Sequence, residues 1–240
     1  MKIDCTGLHH KLINKQILAF DDTDIVLENC LGQRFIAAGL GGKKIEIYGI
    51  PGNALGAYLD GSSIKVYSNV QDAIGDTMND GSITVFGSCG DAPGYAMRGG
   101  RIMIKGDVGY RCGIHMKEYN DKVPVIMIGG VAGSFLGEYQ AGGRIVVLGL
   151  GAEEQSIVGN FCGTGMHGGA IYLRTTVLPP ALPEQVAVRV ADKKDMEVIR
   201  SDVEDFCAEF GGDAEKILSD SFYVLTPNTK NPYKRLYTSY

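Results

Sequence analysis

The chain has 240 residues, 45% of them hydrophobic, so it can bury a sizeable core, and a formal net charge of -5 with a sequence pI near 5.4 leaves no electrostatic footprint for nucleic acid. Its 34 glycines against 8 prolines, without a Gly-X-Y period, exclude collagen and call for many tight corners. Cys5, Cys30, Cys89, Cys112, Cys162 and Cys207 are scattered with no C-x-x-C pair, which excludes a zinc framework or disulfide scaffold and points to a reducing, cytoplasmic compartment.

Met1 to His10 has no basic start before an apolar run, and no apolar stretch reaches membrane-spanning length, so neither a targeting segment nor a membrane partner is expected. Leu12 to Phe20 predicts a helix that lids the first repeat. One unit then recurs, an apolar–x–apolar–x–small strand whose first residue falls at Ile45, Ile64, Ile83, Ile102, Val125, Ile145 and Ile171. The first four starts are nineteen residues apart, and the later intervals are the same unit with insertions.

Eight positions before the strand stand Ala37, Gly56, Gly75, Gly94, Gly137 and Gly163, and Gly113 fills the place for the Val125 unit. Asn53, Asp72, Asp91, Ser134 and Asn160 lie three residues earlier. Glycine suits a corner that needs positive φ or has no room for a Cβ, and Asn or Asp bond their own backbone. Within each strand the period is two. Ile45/Ile47, Ile64/Val66, Ile83/Val85, Ile102/Ile104, Val125/Met127, Ile145/Val147 and Ile171/Leu173 are therefore expected inward. The outward positions become apolar at Met103, Ile126/Ile128 and Val146/Leu148, and such a face must be covered.

The cover is expected from Asp195 to Phe210, where Met196, Ile199, Val203, Phe206, Cys207 and Phe210 share one helical stripe before Gly211-Gly212. A short helix over Asp213–Leu218 and a strand-like Phe222–Leu225 follow, and a tail with Tyr233, Tyr237 and Tyr240 is expected on a surface. The fold class read from this pattern is mainly β: a single-stranded, right-handed parallel β-helix, or β-solenoid, of about seven coils with flanking N- and C-terminal α-helices. Its parts are an N-terminal cap at 1–31, the repeat at 32–178, and a C-terminal helical extension and tail at 179–240.

Gly163-Thr-Gly-Met-His-Gly168 has the spelling of a dinucleotide fingerprint but precedes its strand and opens no helix, so its glycines read as corners. Asp72 and Asp91 share a column, with Arg98 and Arg101 nearby, and could place two carboxylates as a glycosidase does; the plainer reading is two corner residues satisfying local backbone. Cys112 with His115 and Cys162 with His167 resemble metal half-sites two units apart, too far for one zinc ion, and His9-His10 near Cys5 reads first as a surface pair. No nucleophile, base and orienting group share a recognisable spacing; an N-terminal glutaminase nucleophile would need a leading cysteine, whereas this chain begins Met1-Lys2. Two insertions, Lys117 to Lys122 and Gly151 to Gln155, place Lys117, Glu118, Tyr119, Glu153 and Glu154 on the rim as candidate partner contacts.

Several blocks, Gly56 to Gly61 with Gly75-Asp-Thr-Met-Asn79, Gly94 to Gly100, Gly106 to Tyr119 and Gly133 to Tyr139 with Ala141-Gly-Gly143, carry a specific likeness, as do the Ile3-Asp4 start and the closing Pro232 to Tyr237. With them the chain resembles, over essentially its whole length, the glycine-rich C-terminal GXGXG domain of the glutamate synthase large subunit in its stand-alone archaeal and bacterial form. The resemblance implies a non-catalytic structural subunit, with no catalytic, cofactor-binding or metal residue of its own. It implies partner chains as well: a glutaminase that frees ammonia and a synthase with FMN and an iron–sulfur cluster that joins it to 2-oxoglutarate. A homo-oligomer stays open. Two other readings remain beside it: the C subunit of a formylmethanofuran dehydrogenase-type complex, which shares the repeat glycines, and a carbohydrate-active β-helix enzyme using Asp72 and Asp91.

Overall fold

The computed structural model describes residues 1–152 and 155–228. In chain order the elements are β1 (Lys2–Asp4), α1 (His10–Ala19), β2 (Asp24–Leu31), β3 (Lys44–Ile50), β4 (Asp60–Val66), β5 (Asp80–Val85), β6 (Arg101–Ile104), β7 (Val125–Ile128), β8 (Ala141–Val147) and β9 (Gly168–Arg174), followed by β10 (Val186–Val190), α2 (Lys193–Phe210), α3 (Ala214–Ser219) and β11 (Phe222–Pro227). All eleven strands join one sheet in the order β1-β2-β3-β4-β5-β6-β7-β8-β9-β11-β10. From β1 to β9 neighbours run parallel, while β11 pairs antiparallel with both β9 and β10.

That topology corrects the architecture expected from the repeat. A single-stranded, right-handed parallel β-helix of about seven coils is not the fold that results; the strands make one mostly parallel, mixed sheet. Strands from outside the repeat are the reason: β1 and β2 extend the sheet at one edge, and β11 returns after α2 to pair at the other. No helix among the described residues is long and apolar enough to cross a membrane.

The register aligns Ile45, Ile64, Ile83, Ile102, Ile126, Ile145 and Ile171 as direct partners across seven strands. Ile126, not Val125, therefore continues the buried column, and the expected phase of β7 is reversed. Ile126 and Ile128 pack into the main core with Leu55, Leu59, Ile74, Met97 and Cys112 from the connections. Val125 and Met127 face the other way, into a second core with Met103, Val146, Leu148 and Tyr172 under Ile199, Val203 and Phe206 of α2.

Ionic contacts fix α2 in place. Asp202, fully buried, accepts from Arg144 Nε at 2.9 Å and Arg101 Nη2 at 3.0 Å, and Arg101 also pairs with Asp205. The helix start is a capping box of Asp192 and Asp195. At the opposite end of the sheet α1 buries Ile13 and Ile17, while its Asn14 meets the first connection. Asn14 Nδ2 donates to Phe35 O at 2.7 Å and Asn14 Oδ1 accepts from Ala37 N at 2.9 Å. The equivalent N–H groups of later connections find a carbonyl in the connection before, as Gly56 N does at Ile36 O. Asn14 supplies what the first connection lacks.

Candidate interaction surface

Each connection between repeat strands carries three left-handed residues at alternating positions. In one they are Ala54 (φ 61), Gly56 (φ 64) and Tyr58 (φ 58), and the next has Ala73, Gly75 and Thr77. The outer two donate forward, Ala54 N to Asp72 O at 2.9 Å and Tyr58 N to Asp76 O at 2.7 Å, while the middle one donates backward, Gly56 N to Ile36 O at 2.9 Å. Alternating handedness thus lets one short segment bond to both neighbours.

The middle position is where the sequence places Gly56, Gly75, Gly94, Gly113, Gly137 and Gly163, and all six have positive φ. Backbone conformation is only part of the reason for glycine, since alanine holds the same φ two residues away. A Cβ at Gly56 would lie 2.8 Å from Ile83 Cδ1, at Gly75 2.6 Å from Ile102 Cδ1, and at Gly94 2.5 Å from Ile126 Cδ1. Gly113 and Gly137 face Ile145 and Ile171 in the same way, and Gly163 faces Met166 Sδ at 2.9 Å. The middle side chain would enter the core, whereas the outer two leave it.

Those outer positions change character along the chain. Ala54, Ala73 and Ala92 occupy the first position in three consecutive connections, and Arg111, Phe135 and Phe161 occupy it in the next three. At the third position Tyr58, Thr77 and Ala96 give way to His115 and Tyr139. The large side chains form a surface: His115 stacks on Tyr139 at 5.0 Å, Phe135 on Phe161 at 5.2 Å, and the Arg111 guanidinium lies 5.1 Å above Phe135. Tyr95 adds an edge contact to His115 at 5.9 Å, and Arg111 Nε donates to Glu138 Oε2 at 3.1 Å. A non-glycine residue held left-handed costs about 1 kcal/mol, so five large ones on an outer face point to a use outside the fold.

Of the rim residues, Lys117, Glu118 and Tyr119 are exposed, with Tyr119 57% accessible. Glu118 Oε1 is tied to Gly143 N at 2.8 Å, and Lys122 of the same insertion bridges to Asp80 at 2.9 Å and Asp60 at 3.7 Å. The insertion therefore leans on its neighbours through Glu118 and Lys122 and presents Lys117, Tyr119, Asn120 and Asp121. Glu153 and Glu154 lie outside the described residues, as does the tail bearing Tyr233, Tyr237 and Tyr240.

Asp72 and Asp91 are backbone acceptors: Asp91 N donates to Asp72 Oδ1 at 2.9 Å, and Tyr110 N to Asp91 Oδ1 at 2.8 Å. Asn160 N repeats this on Ser134 Oγ at 3.0 Å. Gly90 and Gly109 make room, since a Cβ on either would fall on the carboxylate oxygen. Each carboxylate thereby serves the corner through one of its oxygens. A parallel ladder through Asn69, Ser88 and Asp107 escaped the sequence reading; its sign was the Asn, Ser or Asp recurring three residues ahead of the first column.

Cys112 and Cys162 are buried, and burial pushes both thiols up, Cys162 to about 12. Cys30 shares a hydrogen bond with Cys5, which pushes Cys30 up and Cys5 down; a protonated Cys30 is no nucleophile. Cys30 lines a cleft of about 1050 Å³ together with Leu8, His9, His10, Gln33 and Arg34. The His9 and His10 rings lie 4.1 Å apart there. Among the described residues no three His, Cys, Asp or Glu side chains converge as metal ligands.

A family model described as the GXGXG motif matches residues 22–229. The chain is also similar to an uncharacterized protein of Methanocaldococcus jannaschii, 45% identical over 249 residues, which takes in 98% of this chain and 95% of that protein. The alternation of left-handed positions, first, third and fifth, has the spacing of that motif's glycines, and this chain keeps glycine at the middle one where the core demands it.

Proposed function

The chain belongs to the GXGXG motif family, a glutamate synthase domain, and from that membership we propose that it is a non-catalytic structural subunit of a glutamate synthase. In this reading a separate glutaminase chain releases ammonia, a flavin-binding synthase chain adds it to 2-oxoglutarate, and the present chain braces the two. The observation that carries it is the family match, which spans the repeat, α2 and the closing strand. Physical character supports it. Connections bonded to both neighbours, and a helix locked to the sheet through Asp202, give a stiff body suited to holding other chains at a fixed separation.

FMN and the iron–sulfur cluster belong in this reading to the synthase chain. A cluster needs converging thiolates. Among the described residues no three cysteine, histidine or acidic side chains converge, and Cys89, Cys112 and Cys162 lie on three different connections.

Co-expression with the glutaminase and flavin-binding synthase chains of the same organism tests the proposal. All three should co-purify, and glutamine-dependent formation of glutamate should fall when this chain is left out. Undiminished synthesis by the other two chains, with this one migrating alone, would overturn it.

A further inference from the structure

We infer that the face built by His115, Phe135, Tyr139 and Phe161, with Arg98 and Lys117 along its border, is where an acidic, apolar-edged surface of a partner protein chain docks. The inference rests on the subunit reading above and names the surface that reading leaves open.

Backbone conformation is the first support. His115 (φ 56), Phe135 (φ 63) and Phe161 (φ 61) hold a left-handed conformation that glycine adopts at no steric penalty. The three connections just before fill the same positions with Ala54, Ala73, Ala92, Thr77 and Ala96, apart from Tyr58, and bond equally well to their neighbours, while Phe35 takes the first position in the connection that α1 covers. A large side chain there contributes nothing that the connection requires, and Phe161 is 46% exposed. Strain retained without a folding return marks a site used from outside. Aromatic rings are also the side chains that anchor protein interfaces best, because they bring much area and little rotamer freedom.

Charge supplies the second support and selects the occupant. The chain is acidic overall, at -5, yet this border is basic. Arg98 and Lys117 take equivalent positions in adjacent connections, linked by Lys117 N to Met97 O at 2.9 Å, and both are exposed with no ion pair among the described residues. Of the acids close by, Glu138 pairs with Arg111, Glu118 accepts from Gly143 N and Asp91 from Tyr110 N, and Asp121 stands exposed in the same insertion as Lys117. A face of rings edged by unneutralised cations complements acidic side chains set around an apolar patch. Nucleic acid is disfavoured, since the rings stack on one another, not outward, and the molecule as a whole repels phosphate.

The test uses the full chain with purified glutaminase and flavin-binding synthase chains. Phe135→Gly with Phe161→Gly removes both rings while placing glycine where φ is positive, so thermal stability should hold or rise. Arg98→Glu with Lys117→Glu reverses the border at exposed positions and keeps the test valid if the ring variant folds poorly. The wild type should bind one of the two chains, more weakly as salt rises, and each double variant should weaken that binding by about tenfold or more. If the wild type binds and both variants bind equally well, the face is not the docking site, although the subunit reading stands. A wild type that binds neither chain overturns that reading and the inference with it. Loss of stability in the glycine variant would assign the rings to the fold instead, and binding of single-stranded RNA that disappears in both variants would replace the protein occupant.

Discussion

Replacing Gly94 with alanine separates the two reasons a glycine can be needed. Gly94 has φ 68, and a Cβ there would lie 2.5 Å from Ile126 Cδ1 and 3.6 Å from Ile102 Cδ1. The left-handed backbone costs alanine about 1 kcal/mol. Forcing a methyl against a fully buried isoleucine adds about 1–3 kcal/mol, because a close-packed core yields little. Gly94→Ala should therefore lose about 2–4 kcal/mol, and Ile126→Val, which deletes the Cδ1 it meets, about 1 kcal/mol alone. The double variant should be more stable than additivity allows by about 1–2 kcal/mol, since the clash is gone and the backbone term remains. Denaturant unfolding measures this cycle, and melting points should follow at about 2–4 °C per kcal/mol. Two losses that simply add, within about 0.5 kcal/mol, would refute the steric account and leave φ as the whole reason for glycine.

Asn14→Leu should lose about 1–3 kcal/mol in denaturant unfolding, because Ala37 N forfeits its partner and Phe35 O keeps only the longer bond from Ala38 N, and an unchanged midpoint would show that water serves as well. Asp202→Ala leaves Arg101 and Arg144 short of their shared carboxylate and should cost about 3–5 kcal/mol by the same assay. The Arg189 guanidinium beside Asp195 holds that carboxyl below its usual 3.8, so the stability it contributes is complete above about pH 4 and is lost as pH falls through the lower folded value. Asp195→Asn should flatten that acid limb in a pH series of unfolding curves. Cys162, pushed up to about 12 by burial, should resist alkylation at pH 8 in the folded chain and react once it is unfolded, as followed by mass spectrometry.

What the sequence showed depended on how many faces of a strand were buried. At Ile45, Ile64 and Ile83 the alternate positions hold Glu46, Lys65 and Thr84, so the period of two is plain and the ladder follows it. Val125-Ile-Met-Ile128 has no alternation to read, because one face packs on the main core and the other lies under α2. Either phase then fits the pattern, and the pairing of Ile102 with Ile126 decides it. The helical stripe beginning at Asp195 was legible for the same reason in reverse: one side is polar, and the helix spans Lys193–Phe210. β10 was missed because its residues are half exposed at the sheet edge, and antiparallel return through β11 is a long-range choice that no local period records. Of the candidate site, the middle glycines could be read from spacing. The outer left-handed positions could not, since Arg111, Phe135 and Phe161 are residue types that seldom adopt that conformation.

These constraints also decide which side of the molecule can accept a partner. The apolar outer face of β6 to β9 is already taken by α2, and lifting the helix would expose Met127, Val146 and Leu148 while stripping Asp202 from two arginines. A partner on that face would have to repay both losses before gaining anything. The outer face of β3 and β4 is open, with Tyr48 and Tyr67 stacked at 4.8 Å, but there the rings run on through Phe86 to Phe210 of α2 and help to seat the helix. Among the described residues, it is on the connection side that large rings stand at positions where the fold accepts alanine, so substitution there can alter association while the core and its hydrogen-bonded ladders stay as they are.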